Sequence, residues 1–335
     1  MVTLNPADRS MPRSLLWVIQ QFAFVALIMV AGCSTVGMIR EPSPTEPLTG
    51  NLIAVGDIAY CTNAAPRDTA AYRTAELTAS LLTSDSEAKV LTLGDNVYEI
   101  GLPREFADCY EPTWGKLKSR TWPTPGNHDY GVSNAHGYFD YFGHAAGSDR
   151  SGFYQQRMNG WAVISLNSNV DASVASAQYR WLERVLQQSA DLCVLAAWHH
   201  PVFTSAPRRD QPMMKAIFEL LVRHKADLIL QGHEHHFERF APMLADGVID
   251  RERGVRTMVV GTGGAPLSGY RSTARDGSEK QIRAFGVLNM ALTPGKAQWQ
   301  FVSVDRQVLD SGVLNCRRRS TQSESSASLF RGTFP

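Results

Sequence analysis

The chain has 335 residues, 44% of them hydrophobic, enough apolar material for one large α/β domain or two smaller ones. Its 33 Lys and Arg against 32 Asp and Glu leave a formal net charge of +1, so no long-range field holds a polyanion on the surface. Nucleic acid is therefore not an expected partner.

At the amino terminus Arg9 and Arg13 precede an apolar run from Leu15 to Val30, broken by Gln20 and Gln21 and ending at Val30-Ala31-Gly32-Cys33. The run is shorter than the about 20 apolar residues a spanning helix needs, and small residues stand where a peptidase approaches. Residues 1–33 therefore read as a signal peptide, with an uncleaved membrane anchor as the alternative. The ending resembles a bacterial lipobox, which makes Cys33 the expected lipidation site. The expected location is exported and lipid-anchored to the cell envelope, on the periplasmic or outer-membrane side in a Gram-negative cell. Residues 34–50, including Glu41-Pro42-Ser43-Pro44-Thr45-Glu46-Pro47, lack apolar periodicity and read as a Pro-rich tether.

Without Cys33 the chain keeps Cys61, Cys109, Cys193 and Cys316, an even number that suits disulfides outside a reducing cytoplasm. Of the three pairings, Cys61 with Cys109 and Cys193 with Cys316 is favoured, because the second pair staples the end of the chain to a central strand. The competing reading makes Cys193 a small buried hydrophobe.

From Asn51 onward, apolar runs alternate with helical periodicity. Strands are expected at Leu52–Val55, Val90–Leu93, Ala162–Leu166, Leu192–Ala196 and Leu228–Leu230, with helices at Asp68–Leu82, Ala175–Gln188 and Pro212–His224. After Gly232 the pattern turns to strands without long helices, at Arg256–Val260, Phe285–Leu292 and Ala297–Val304, which suggests a second, more antiparallel sheet. Residues 317–335, rich in Arg and Ser, read as a disordered tail.

Ligands in open α/β sheets bind beyond the carboxyl ends of the strands, and polar groups stand there after nearly every strand. Asp57 follows Gly56, Asp95 follows Gly94, Asn127 and His128 follow Gly126, His199 and His200 follow Trp198, and His233 and His235 follow Gly232. Carboxylate, amide and imidazole donors without thiolates suit hard or borderline cations such as iron, zinc and manganese. Any one of these motifs is ordinary turn chemistry; five in succession are not.

The blocks Gly56-Asp57-Ile58-Ala59, Gly94-Asp95-Asn96-Val97-Tyr98, Gly126-Asn127-His128-Asp129, Ala196-Ala197-Trp198-His199 and Gly232-His233-Glu234-His235 resemble those of the calcineurin-like metallophosphoesterases, and among them the purple acid phosphatases. The resemblance covers residues 51–316, the expected catalytic domain. It implies a metallophosphoesterase sandwich, an α/β fold of two mixed sheets flanked by helices in α/β/β/α order. It also implies two metal ions, Fe(III) plus Fe(II), Zn or Mn. The first would be held by Asp57, Asp95, Tyr98 and His235, the second by Asp95, Asn127, His199 and His233, with Asp95 shared. Tyr98 matters because the first block lacks the histidine many relatives have, and a tyrosine three residues after the aspartate fills that gap in purple acid phosphatases. By the same resemblance His128 is the catalytic residue outside the ligand set, and Asp129 is expected to orient its ring.

Two departures stand out. Ala59 replaces a usual glycine, and residues 203–214 contain no histidine where relatives carry one or two. Arg208 and Arg209 lie there instead; Arg208 is the expected substrate clamp, since a guanidinium binds phosphate oxygens bidentately but cannot protonate a leaving group. His136, His144 and His224 read as structural or surface residues, His200 and His236 as pointing away from the site, and Gly261-Thr262-Gly263-Gly264 as a turn. The expected function is phosphomonoester hydrolysis outside the cytoplasm by direct attack of metal-activated hydroxide on a phosphate ester. The alternatives are a phosphodiesterase or nucleotide pyrophosphatase on the same scaffold, and a noncatalytic phosphate-binding surface lipoprotein. No protein partner is expected.

Overall fold

The computed structural model describes residues 48–317 except 62–63, 83–84 and 208–211. The expected signal peptide with Cys33, the tether up to residue 47, Arg208, Arg209 and residues 318–335 lie outside the described residues.

In chain order the main elements begin with β1 (Leu52–Val55), α1 (Ala70–Leu81), β2 (Lys89–Thr92), β3 (Thr121–Trp122), α2 (His136–Phe142), β4 (Tyr154–Met158), β5 (Trp161–Ser165), α3 (Ala177–Gln188) and β6 (Cys193–Trp198). There follow α4 (Lys215–Arg223), β7 (Leu228–Gln231), β8 (Phe237–Phe240), β9 (Arg256–Val260), β10 (Ser278–Ile282), β11 (Gly286–Thr293), β12 (Lys296–Ser303) and β13 (Val308–Asn315). The starts of α1 and α3 fall two residues inside the periodic stretches because hydroxyls cap them. Thr69 accepts the Tyr72 N–H at 3.2 Å and Ser176 accepts the Tyr179 N–H at 3.0 Å. Residues 212–214 form a separate 3₁₀ turn before α4.

The strands make two mixed sheets, β13-β12-β11-β1-β2-β3 and β10-β8-β9-β7-β6-β5-β4. Period-two alternation then sorts side chains into three apolar layers. Leu52 and Ala54 of β1, Leu195 and Ala197 of β6, and Leu228 and Leu230 of β7 pack between the sheets. Ile53 and Val55 face outward onto Ala71 and Ala75 of α1, while Val194, Ala196 and Ile229 face Leu182 and Leu186 of α3 and Phe218 and Leu221 of α4. The result is the expected α/β/β/α sandwich.

One expectation is corrected. The antiparallel strands late in the chain do not form a sheet of their own. β11, β12 and β13 extend the first sheet, with Leu52 opposite Met290 in an antiparallel β1–β11 pair, whereas β8 and β9 complete the second. Apolar periodicity marks a strand without naming its neighbour, and the edge of β1 away from β2 was open for pairing. Strands β4, β10 and β13, which periodicity missed, are edge strands with mostly half-exposed or exposed residues.

Both favoured disulfides are formed. Cys61 and Cys109 join the loop after β1 to the helical segment at 106–110, and Cys193 and Cys316 join the start of β6 to the chain beyond β13, each with Cα atoms 5.7 and 5.6 Å apart respectively. The second closes a loop of 123 residues, so its chief effect is to limit the unfolded chain. Replacing Cys316 with alanine is expected to lower the unfolding free energy by about 2–5 kcal/mol, read from urea denaturation, without changing the fold.

Candidate metal centre

The parallel strands β1, β2 and β3 of one sheet and β5, β6 and β7 of the other end at a common rim, and the donors stand on the turns that leave it. Those turns are tied to one another within each sheet, and the Gly56–Val260 bond ties one sheet to the other. The Asp57 N–H donates to the Gly94 carbonyl at 3.0 Å, Gly56 N–H to Val260 at 2.8 Å and Gly232 N–H to His199 at 3.0 Å. Asp57, Asp95 and His233 all have left-handed backbone, with φ of 61°, 51° and 72°. Non-glycine residues hold such angles only where the surroundings over-determine them, at about 1–3 kcal/mol each, and such strain clusters at functional sites. Two glycines make the approach feasible. A Cβ on Gly94, at φ +87°, would lie 2.4 Å from His199 Nδ1, and one on Gly126 would lie 2.2 Å from Asp95 Oδ1.

All seven expected donors converge. Tyr98 Oη lies 3.1 Å from Asp57 Oδ1, 3.2 Å from Asp95 Oδ2 and 3.2 Å from His235 Nε2. Beside it, His199 Nε2 lies 3.2 Å from Asp95 Oδ2, 3.1 Å from Asn127 Oδ1 and 3.2 Å from His233 Nδ1, which itself sits 2.9 Å from Asn127 Oδ1. Asp95 belongs to both groups. Main-chain carbonyls fix the rings: His199 Nδ1 donates to Leu93 at 2.8 Å and His235 Nδ1 to Pro266 at 2.9 Å, so each turns the lone pair of Nε2 inward.

This donor set fits cations. One hydroxyl hydrogen on Tyr98 cannot serve three acceptors, and the inward lone pair of His199 faces the carbonyl oxygen of Asn127. Burial, then the nearby Asp57 and Asp95, pushes the Tyr98 phenol well above its ordinary value. For His199, burial acts downward, but Asp95 overcomes it and pushes the imidazole up to about 9, so a proton competes with a cation for the same lone pair. Burial likewise acts to raise Asp95, yet His199 and His128 hold it well below the carboxylate range.

His128 stands at the edge of the centre with its side chain 32% exposed and Nε2 4.0 Å from Asp95 Oδ2. Its N–H donates to Asp95 Oδ1 at 2.8 Å, its ring lies 4.4 Å from that of Tyr98, and its Nδ1 bonds the Glu99 carbonyl. Asp129 does not orient it. That carboxylate is fully buried on the other side of the turn and accepts from Asn96 Nδ2 at 3.0 Å and from the Gly126 N–H at 2.8 Å. Burial and the charge of Asp95 push Asp129 up to about 7.

Gly261 and Gly263 lie behind the Asp57 turn, with the Gly263 N–H donating to Gly56. His236 packs against Tyr270 at 4.3 Å, away from the centre, whereas His200 lies closer than expected, its ring 4.7 Å from that of His233 and its Nδ1 2.8 Å from Ser168 Oγ. Burial, then His199, lowers His200 to about 3. The orienting carbonyls of Leu93, Glu99 and Pro266 carry no side-chain signal, so no motif announces them. Gly94→Ala is expected to displace His199, lowering stability by about 1–3 kcal/mol and reducing metal uptake; calorimetry and metal analysis read the two effects.

Residues 51–237, more than half of the chain, match the calcineurin-like phosphoesterase family model. The probable purple acid phosphatase 20 of Arabidopsis thaliana is 27% identical over 167 residues, 42% of this chain and 39% of that protein. Purple acid phosphatase 1 of Ipomoea batatas is 28% identical over 174 residues, 45% and 36% of the two chains. The chain thus spans less than half the length of the curated relatives it matches. Among solved structures, a purple acid phosphatase from yellow lupin (Lupinus luteus) seeds superposes with TM-score 0.62 at 18% identity, covering 79% of this chain and 53% of that one. GAP50, the anchor in the inner membrane complex of Plasmodium, superposes with TM-score 0.61 at 14% identity, covering 81% and 90%. Together with the five donor-bearing turns on a two-sheet sandwich, the match over residues 51–237 places the chain in the calcineurin-like phosphoesterase family.

Proposed function

We propose that the chain is a two-metal phosphomonoesterase of the purple acid phosphatase type, acting outside the cytoplasm. The observation that carries this reading is the position of Tyr98, whose Oη lies within 3.2 Å of both aspartates and of His235 where a first-block histidine would otherwise serve. Asp57, Asp95, Tyr98 and His235 would hold one ion, and Asp95, Asn127, His199 and His233 would hold the other. The phenolate of Tyr98 is a hard donor that selects Fe(III), and the second position suits Fe(II), Zn or Mn. When bound, such a pair supplies a nucleophile at neutral pH and neutralises charge on the phosphoryl oxygens.

The chain's own residues do the rest. Leu93 and Pro266 lock the tautomers of His199 and His235, so the centre is organised before substrate arrives. Glu99 holds the Nδ1–H of His128, leaving Nε2 to face the crevice beside Asp95. In its protonated form that nitrogen donates to the phosphoryl group or the leaving oxygen. Arg208, seven positions before α4 in the sequence, is the candidate outer clamp. Both disulfides suit an oxidising compartment, in keeping with a signal peptide over 1–33, acylation at Cys33, a tether over 34–50 and a catalytic domain over 51–316.

Paired chromogenic mono- and diesters test the reading, together with metal analysis. The monoester is expected to be turned over by metal-loaded protein, with Asp95→Ala losing both metal and activity. His128→Ala should keep its metal and lose ~100-fold or more in kcat. Preference for the diester, or metal-loaded protein inactive on every ester, contradicts the proposal. A visible charge-transfer band that disappears in Tyr98→Phe is the expected signature of an Fe(III) phenolate; an active, colourless protein removes Tyr98 from the ligand set.

A further inference from the structure

The turns leaving β5 and β6 meet beside the centre, where Ser168 faces His200. Ser168 Oγ accepts the His200 N–H at 3.2 Å and lies 2.8 Å from His200 Nδ1. Ser168 is only 3% exposed, so its hydroxyl hydrogen needs a protein acceptor, and among the described residues Nδ1 is the acceptor within reach. A ring nitrogen that accepts carries no proton, so the arrangement that satisfies both groups puts the ring proton of His200 on Nε2. Nε2 has no hydrogen-bond partner among the described residues.

The ring is placed to use that donor. It packs 4.9 Å from the ring of His199 and 4.7 Å from that of His233, and ligand-capable nitrogens of the three lie within 4.8 Å of one another. Both rings keep a little exposure, His200 at 8% and His233 at 7%. An N–H has no lone pair for a cation, which keeps His200 out of the donor set despite its position. A protonated nitrogen beside two cation-binding histidines suits an oxyanion held by those cations.

We propose that His200, its tautomer set by Ser168, donates Nε2–H to a phosphoryl oxygen at the centre, an inference that rests on the phosphoesterase reading. His200 is then a substrate-binding residue. Ser168 is a positioning residue acting through it.

Calorimetric titration of the metal-loaded protein with inorganic phosphate, with metal content and thermal midpoint measured on each variant, tests this directly. His200→Ala should keep both metals and weaken phosphate by ~10-fold or more, the loss of one hydrogen bond to a charged group. His200→Gln, which restores an N–H at similar reach, should stay within about 3-fold of the native chain. Ser168→Ala, which releases the tautomer, should weaken phosphate several-fold while the metals stay bound. Phosphate affinity in His200→Ala equal to that of the native chain overturns the inference alone, as does loss of a metal ion in that variant. A native chain that binds no metal, or binds metal but no phosphate, overturns the proposed function and this inference together.

Discussion

The carboxylate of Asp95 is the point on which the structure turns. It is 1% exposed, on left-handed backbone, and one of its oxygens lies 3.2 Å from both Tyr98 Oη and His199 Nε2. Its other oxygen takes the N–H of His128 at 2.8 Å. Three turns from two different sheets therefore meet on one side chain. Burying an anion so completely costs several kcal/mol unless positive charge or N–H donors surround it, and these surroundings supply both.

The sandwich exists in a form that makes this meeting feasible. Each sheet holds a parallel set whose strands end at one rim, while antiparallel strands widen the sheets elsewhere. The apolar layer between the sheets, from Leu52 to Phe301, fixes the distance between the two halves of the centre. The turns add main-chain bonds from one sheet to the other, such as Gly56 N–H to Val260. Donors on rigid strand ends need little rearrangement when a cation arrives, which is the physical content of preorganisation.

Much of this was legible because strand, glycine and donor recur together in the sequence. The block at Gly94-Asp95 reads as a turn after Leu91-Thr92-Leu93, and the fold requires that glycine, since any Cβ would strike His199. Tyr98 was legible through resemblance, and its phenol stands among Asp57, Asp95 and His235. Other features had no local signal. The carbonyls that orient His128, His199 and His235 are backbone atoms, identical in every residue. Asp129 was misread because adjacency in sequence suggested contact with His128, whereas the turn sends the two side chains to opposite sides. The sheet membership of β11 depended on an open edge at β1, which periodicity does not encode. His200 was read as pointing away from the site, but the strand has ended at Trp198 and the turn packs its ring 4.9 Å from that of His199.

The central claim is that seven side chains from five turns hold two cations that share Asp95. Anomalous diffraction at the iron and zinc edges, from crystals of the metal-loaded protein, tests it most directly. The account predicts two peaks about 3.5–4 Å apart on either side of Asp95, with the iron peak on the Tyr98 side. A single peak, or peaks that do not contact Asp95, would contradict it.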